Sequence, residues 1–477
     1  MGNVTTSHET AQSLAKVLYG TGSGHMMSVT TAKGDGLMKK LDITIVGGGS
    51  TYTPALLKTI CDYQDQLPIR SLTLYDIDEE RQAKVGRFAE ILFKEKYPEV
   101  EEIHYTTDEE KAFANKDFVL MQIRSGGLKM RVDDEQIPLK HGAVGQETCG
   151  PGGFAYGMRT LQQFIDIVKG IRHFSPDAWI INYSNPAAIV AEATKREFPD
   201  DKRLINICDM PIAIMDAFSS VLDKDRSQLS PRYFGLNHFG WFTALYDETG
   251  KDRLPEIHSF LKDKEILPSE EAMLDESWQD TFKQLAQMTR DFDGYIPNTY
   301  LQYYLYPAQM VEKSNPTYTR ANEVINGREK NVFSMLDDVN ERQTVEGSSL
   351  VSGVHGDYII DLMASIINNE SEMFLVMVEN KGAIENLPSD AMVEVPCLVN
   401  ANGVEPLRVG PIPTFYKGLL ENQLAYEKLT VDAYYNNSYD DALKALVLNR
   451  TVVDTPKAKA ILNDLIEANK DHWPKLD

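Results

Sequence analysis

The first half of the chain switches repeatedly between two hydrophobic periods. Leu41-Asp42-Ile43-Thr44-Ile45-Val46 is a β-branched apolar run that reads as a strand, and it feeds Gly47-Gly48-Gly49-Ser50-Thr51. Thr53 then offers an N-cap oxygen, and Pro54 suits the first helical position. Leu56, Leu57 and Ile60 lie on one face of the helix this predicts, which ends before Pro68. Leu72-Thr73-Leu74-Tyr75 reads as a second strand, stopping at Asp76. Residues 79–96 follow as a helix with Val85, Phe88, Ala89, Ile91 and Leu92 inward. Strands are expected again at 118–123, 178–183 and 204–207, with helices between most of them. One of these carries Leu161, Phe164, Ile165, Val168 and Ile171 at helical spacing.

Such alternation predicts an α/β fold: a Rossmann-like parallel sheet with right-handed crossovers, of the lactate/malate dehydrogenase kind. Each strand stops just before a polar cluster, namely the glycines, Asp76, Arg124, Asn182 to Asn185, and Cys208-Asp209. Open parallel sheets bind ligands outside the carboxyl ends of their strands. Beyond about residue 212 the alternation fades. Tyr233 to Trp241 is aromatic with Asn237-His238 inside it, 262–293 is acidic and helical in pattern, and 355–372 reads as an amphipathic helix. A strand at 374–378, a hairpin turn at Asn402-Gly403 and a helix over 456–468 complete a C-terminal α+β substrate domain. The expected division is 38–210 for the dinucleotide domain and 211–477 for the catalytic one, with a soft boundary. Residues 1–37 are polar and Gly/Ser/Thr-rich, lack the apolar core of a signal peptide, and are expected to be disordered or a cloning remnant.

Composition narrows the function. A net charge of −23 over 477 residues disfavours nucleic acid and anionic membranes as partners. It also means that an anionic substrate would need a local cluster of arginines or lysines. No apolar run approaches the ~18 residues of a membrane span. The four cysteines, Cys61, Cys149, Cys208 and Cys397, form no CxxC and no disulfide framework, so a reducing, cytoplasmic setting is expected.

The glycine turn can bring backbone N–H groups of Gly47, Gly48, Gly49, Ser50 and Thr51 close to a pyrophosphate at a helix start. Tyr52 stands where the usual third glycine would be. Asp76, at the end of the next strand, could accept from an adenosine ribose and would repel a 2′-phosphate, which favours NAD over NADP. Cys208 and His238 are candidate ligands for one divalent ion only if folding unites them, since thirty positions separate them; singly, each is the kind of residue that fills a core. Asp209, beside a thiolate, would suit a general acid. Tyr300 sits in an aromatic cluster and would need a nearby cation to act as a base. Arg124, Arg131 and Arg320 are candidate phosphate clamps. Gln146 to Gly153 is a glycine-rich loop before a helix, either a simple turn or a wall of the cleft.

Seven segments in order resemble glycoside hydrolase family 4: Gly47 to Pro54, Asp134 to Lys140, Gly145 to Gly153, Asn182 to Pro186, Cys208 to Pro211, Gly235 to Trp241, and Asn298 to Tyr304. The likeness spans residues 38–477, and the Cys-Asp-Met-Pro variant is similar to that of the branch acting on 6-phospho-α-glucosides such as maltose 6′-phosphate. The resemblance implies Mn2+ or another divalent metal on Cys208 and His238, Asp209 as proton donor, Tyr300 as base, and Glu147 enhancing the tyrosine's basicity. Arg124 is expected with Gly47 to Thr51 and Asp76 on the NAD side. By the resemblance Arg131, Asn185 and Arg320 fall on the side of the phosphorylated sugar, and Asn237 is expected there too. The implied route is oxidation at C3 by NAD, deprotonation at C2, elimination, addition of water and return of the hydride; homodimers or homotetramers are implied as well. Most glycosidases use two carboxylates instead, and this family is an exception. The residues alone leave two alternatives, an NAD-dependent dehydrogenase of the lactate/malate type and a non-catalytic sensor of NAD or sugar phosphate.

Overall fold

Twelve strands form one mixed sheet in the computed structural model, which describes residues 39–264, 266–268, 276–350 and 354–477. Residues 1–37 and part of the acidic stretch 262–293 lie outside the described residues. The expected parallel part is present: β1 (Leu41–Val46), β2 (Ile69–Tyr75), β3 (Glu102–Thr106), β4 (Phe118–Met121), β5 (Trp179–Asn182) and β6 (Leu204–Asn206), in the order β3-β2-β1-β4-β5-β6. All residues of β1, β4, β5 and β6 are buried. That is why these strands read as continuous apolar runs rather than alternating ones: helices cover both faces. The edge strand β3 has no buried residue, shows no apolar run, and escaped the sequence reading for that reason.

The register sets the position of everything that follows. Val46 pairs with Tyr75 and with Met121, Met121 with Asn182, and Asn182 with Asn206. Strands β2, β1, β4, β5 and β6 therefore end on one line, and the residues just after them share one edge of the sheet.

Beyond β6 the sheet continues with antiparallel strands in a sequence order that no local pattern announces. β10 (Glu372–Glu379) pairs with β6 through Met377 and Asn206, and β11 (Met392–Asn400) pairs with β10. β7 (Ser230–Leu236) pairs with β11 through Gly235 and Glu394, followed by β8 (Phe239–Tyr246) and the short β9 (Ile296–Pro297). Lys40–Asp477 packs as one compact unit, in which strands from both sides of residue 210 share the sheet.

Several local expectations are corrected. Thr53 is the first helical residue of Thr53–Asp62, with Tyr52 as N-cap and no side-chain cap; the Thr53 hydroxyl instead accepts from Gln122 Nε2 at 2.7 Å. Gly150 to Gly153 are the first turn of the helix Gly150–Phe174 rather than a loop. A Cβ on Gly152 would stand 2.2 Å from the Gln146 carbonyl oxygen, so close backbone packing explains the glycines there. The hairpin turn is Ala401-Asn402, because Asn400 pairs with Gly403, the first residue of β12 (Gly403–Pro406). Among the described residues no helix is long and apolar enough to cross a membrane.

Candidate active site

β1 delivers the glycine turn to the edge of the sheet. Gly47 has φ +80, and a Cβ there would lie 2.7 Å from the Gln122 carbonyl oxygen. A side chain is excluded on both counts. Asp76 receives the Gly49 N–H at 2.8 Å and the Asp78 N–H at 3.0 Å, so it braces the turn as well as standing at the end of β2. Ser50 completes the turn by donating its N–H to the Gly47 carbonyl at 3.0 Å. Tyr52 is not buried: Arg328 lies over its ring at 4.6 Å and donates to its hydroxyl at 2.8 Å. Tyr52 is thereby held against Arg328 beside the turn.

Cys208 follows β6, and Asp209 is the N-cap of the helix Met210–Leu222. His238 comes from the opposite direction. It is the second residue of the Asn237-His238 turn between β7 and β8, where Leu236 pairs with Phe239, and its φ is +60. A left-handed backbone is uncommon for a residue with a Cβ, histidine being among those that tolerate it. The fold thereby closes thirty positions to a single contact: Cys208 Sγ lies 3.4 Å from His238 Nε2.

That spacing fits a shared cation. For a tetrahedral zinc ion, sulfur at about 2.3 Å and nitrogen at about 2.0 Å stand about 3.5 Å apart, which sets the scale for a shared divalent ion. Burial holds the imidazole down at about 4, so it is a neutral donor at ordinary pH. Thr148 Oγ lies 3.3 Å from His238 Nδ1, which leaves Nε2 as the nitrogen turned to Cys208. Burial, and then the neighbouring Asp209 carboxylate, push the Cys208 thiol well above its ordinary value, so a cation bound there would displace a proton. Among the described residues no cluster of three or more His, Cys, Asp or Glu forms a candidate metal cage. Open positions on the ion would fall to substrate and water, as catalytic sites require.

Tyr300 precedes the helix Leu301–Leu305, and its N–H is taken by Asn298 Oδ1 at 3.0 Å. Its ring stacks on His238 with centroids 3.8 Å apart and planes 1° from parallel. Burial, and then the Glu147 charge, push the phenol well above its usual range, so an ionised Tyr300 would be a strong base. Glu147 itself would be raised by burial, but Arg124 at 2.6 Å and Arg131 at 3.1 Å outweigh that and hold it at about 2. It carries a fixed negative charge in the cleft.

The remaining sequence candidates divide. Arg124, three residues after β4, and Arg131, on the helix Gly127–Lys140, meet at Glu147. Arg320 starts the helix Arg320–Val324 and pairs with Glu323 at 2.8 Å. Asn185 Oδ1 accepts weakly, at 3.4 Å, from the Ala187 N–H at the start of the helix Ala187–Glu197. Asn237 donates to Glu394 Oε1 at 3.2 Å.

Sequence reasoning missed three supporting groups. Thr148 lies inside the glycine-rich segment, but nothing in its spacing points to His238, ninety positions on. Glu394 sits fully buried in the apolar run of β11, where burial pushes its carboxyl up to about 8 despite hydrogen bonds from Asn237 and Tyr233. An acid inside an otherwise apolar strand was a readable signal. Arg328 lies in a π-helical turn, Ile325–Glu329, that has no sequence signature.

Two family models match the chain: family 4 glycosyl hydrolase over residues 42–224 and family 4 glycosyl hydrolase C-terminal domain over 233–452. The chain is 57% identical to phospho-alpha-glucosidase PagL of Clostridium acetobutylicum, covering 92% of this chain and all of that one. It is 48% identical to maltose-6′-phosphate glucosidase of Bacillus subtilis, over 92% and 98%. Among solved structures it superposes with a TM-score of 0.90 on a 6-phospho-alpha-glucosidase from gut microorganisms in complex with NAD and Mn2+, at 49% identity over 92% of this chain and all of that one.

Proposed function

The chain belongs to family 4 of the glycosyl hydrolases, and from that premise we propose how its residues share the work. The protein is an NAD- and divalent-metal-dependent glycosidase that hydrolyses 6-phospho-α-glucosides, such as maltose 6′-phosphate, to glucose 6-phosphate and the aglycone. Relatives named for the α-linkage are 47–57% identical, whereas relatives named 6-phospho-β-glucosidase are 32% and 34% identical. That gap supports the α-anomer.

Gly47, Gly48, Gly49, Ser50, Thr51, Asp76 and Arg124 hold the dinucleotide. Cys208 and His238 hold the cation, Mn2+ or another divalent metal. When bound, the nicotinamide offers reversible hydride acceptance and the cation Lewis acidity. Arg131, Asn185, Asn237 and Arg320 bind the sugar and its 6-phosphate. Tyr300 removes the proton from sugar C2, with the fixed charge of Glu147 keeping the phenolate basic. Asp209 gives a proton to the glycosidic oxygen as its bond to C1 breaks, and water then adds at C1. The observation that carries this assignment is the 3.4 Å contact of Cys208 with His238, flanked by Asp209 in sequence and by the Tyr300 ring in space. We place the enzyme in the cytoplasm, where phosphorylated sugars are found and its four free, buried cysteines stay reduced, and as a homodimer or homotetramer.

The test is hydrolysis of α- and β-linked nitrophenyl glucoside 6-phosphates, each with and without NAD and Mn2+. The expected result is α-selective release that needs both additions and leaves no net NADH. NADH accumulating in step with product would mean a dehydrogenase, and binding without turnover would mean a sensor.

A further inference from the structure

Glu135 is a buried carboxylate for which the assigned reaction has no role. It lies one helical turn after Arg131 on Gly127–Lys140 and is 1% exposed. Its Oε1 accepts from Arg131 Nε at 2.7 Å. Its Oε2 accepts, at 2.8 Å, the backbone N–H of Ala321, 186 positions away. Ala321 follows Arg320 at the start of Arg320–Val324. One carboxylate therefore joins the guanidinium of one arginine to the backbone that carries the other.

We propose that Glu135 is a positioning residue for the substrate's 6-phosphate, fixing Arg131 and Arg320 relative to each other. This rests on the assignment of those two arginines to the phosphorylated sugar. Two features of the structure support it. The start of Arg320–Val324 already has a reciprocal cap between Thr319 and Asn322, and the Ala321 N–H is a further donor that Glu135 takes. The charges also argue for geometry. Glu135 and Glu147 both contact Arg131, and Glu147 contacts Arg124 as well, so the two carboxylates offset the two guanidinium groups. A pocket made only to attract a dianion would omit them. What they supply is a fixed fork: Nε and Nη1 of Arg131 are held, and the orientation of the guanidinium plane is set before the phosphate arrives.

Glu135→Gln tests this with little change of shape, since an amide has one acceptor oxygen and cannot serve both donors. The KM for nitrophenyl α-glucoside 6-phosphate should rise about tenfold or more, and the inhibition constant of glucose 6-phosphate should rise with it. The value of kcat should change much less, with NAD affinity and Tm near those of the parent. Glu135→Ala should go further in the same direction. Arg131→Lys and Arg320→Ala serve as reference arms. If neither weakens glucose 6-phosphate, the assignment of the arginines fails and the inference falls with it. If both do so while the Glu135 variants bind it normally, the arginines stand and the inference alone is overturned. It is also overturned if Glu135→Gln does not fold, or if it lowers kcat, NAD affinity and Tm together.

Discussion

The phenol ring of Tyr300 lies face to face with the imidazole of His238, 3.8 Å between centroids and parallel to within 1°. The assigned base is thus packed against an assigned metal ligand, so the tyrosine's position depends on the Asn237-His238 turn. Tyr300→Phe keeps the stacked ring and removes only the hydroxyl. Metal and NAD affinities should remain, while kcat falls by about 10²-fold or more. Calorimetric titration with Mn2+ and NAD beside steady-state kinetics checks both halves; a loss of metal affinity would give the hydroxyl a different role.

Cys208→Ser replaces a donor that can bind a cation as an anionic thiolate with a hydroxyl of similar size that stays neutral at ordinary pH. Mn2+ affinity should fall by about tenfold or more, and metal-dependent hydrolysis should be lost while the fold persists. Circular dichroism and metal titration measure this; wild-type turnover in the variant would remove Cys208 from the metal site. Oxidation of that thiol should inactivate the enzyme in the same way.

Glu147 is held at about 2 by Arg124 and Arg131, below the ordinary carboxyl value of 4.5. A depressed acid adds stability that is present above its unfolded value and is lost as pH falls through the folded one. Glu147→Gln should therefore be less stable than the parent near neutrality, and the difference should shrink as pH drops from 4.5 towards 2. Its kcat should fall too, because the charge proposed to keep Tyr300 basic is gone. Tm against pH for both proteins reads the first claim, and a constant gap would refute it.

Glu394 has the opposite sign. Its folded value, about 8, lies above 4.5, so its contribution is fully present below the unfolded value and is lost as pH rises through the folded one. In the metal-free protein, Glu394→Gln should gain in Tm relative to the parent between pH 4.5 and 8. Thermal scans across that window decide it; parallel curves would mean that the carboxyl is ionised in the fold.

Substrate labelled with deuterium at C2 tests the assigned chemistry directly. Turnover should slow, or the label should exchange with solvent, because in the proposed route Tyr300 takes that proton. A label retained in the product with no change in rate would contradict the assignment.

The parallel half of the sheet was legible because its strands are buried on both faces and announce themselves as apolar runs between helical periods. The polar residues after them, Gly47, Asp76, Arg124 and Cys208, were legible for the same reason: each marks where a run stops. Glu102–Thr106 stayed hidden because an exposed edge strand needs no apolar pattern. The insertion of β10 and β11 between β6 and β7 stayed hidden because pairing across more than 150 positions is set by packing, not by local propensity.

By itself the sequence determined which side chains the chemistry has at its disposal, and that the first strands would present theirs along one edge, since period and turn composition are local properties. Only the tertiary structure decided that Cys208 meets His238, that Tyr300 stacks on that imidazole, and that Glu135 reaches Ala321. Those contacts join elements laid side by side by sheet register, and register is fixed by burying the whole core at once.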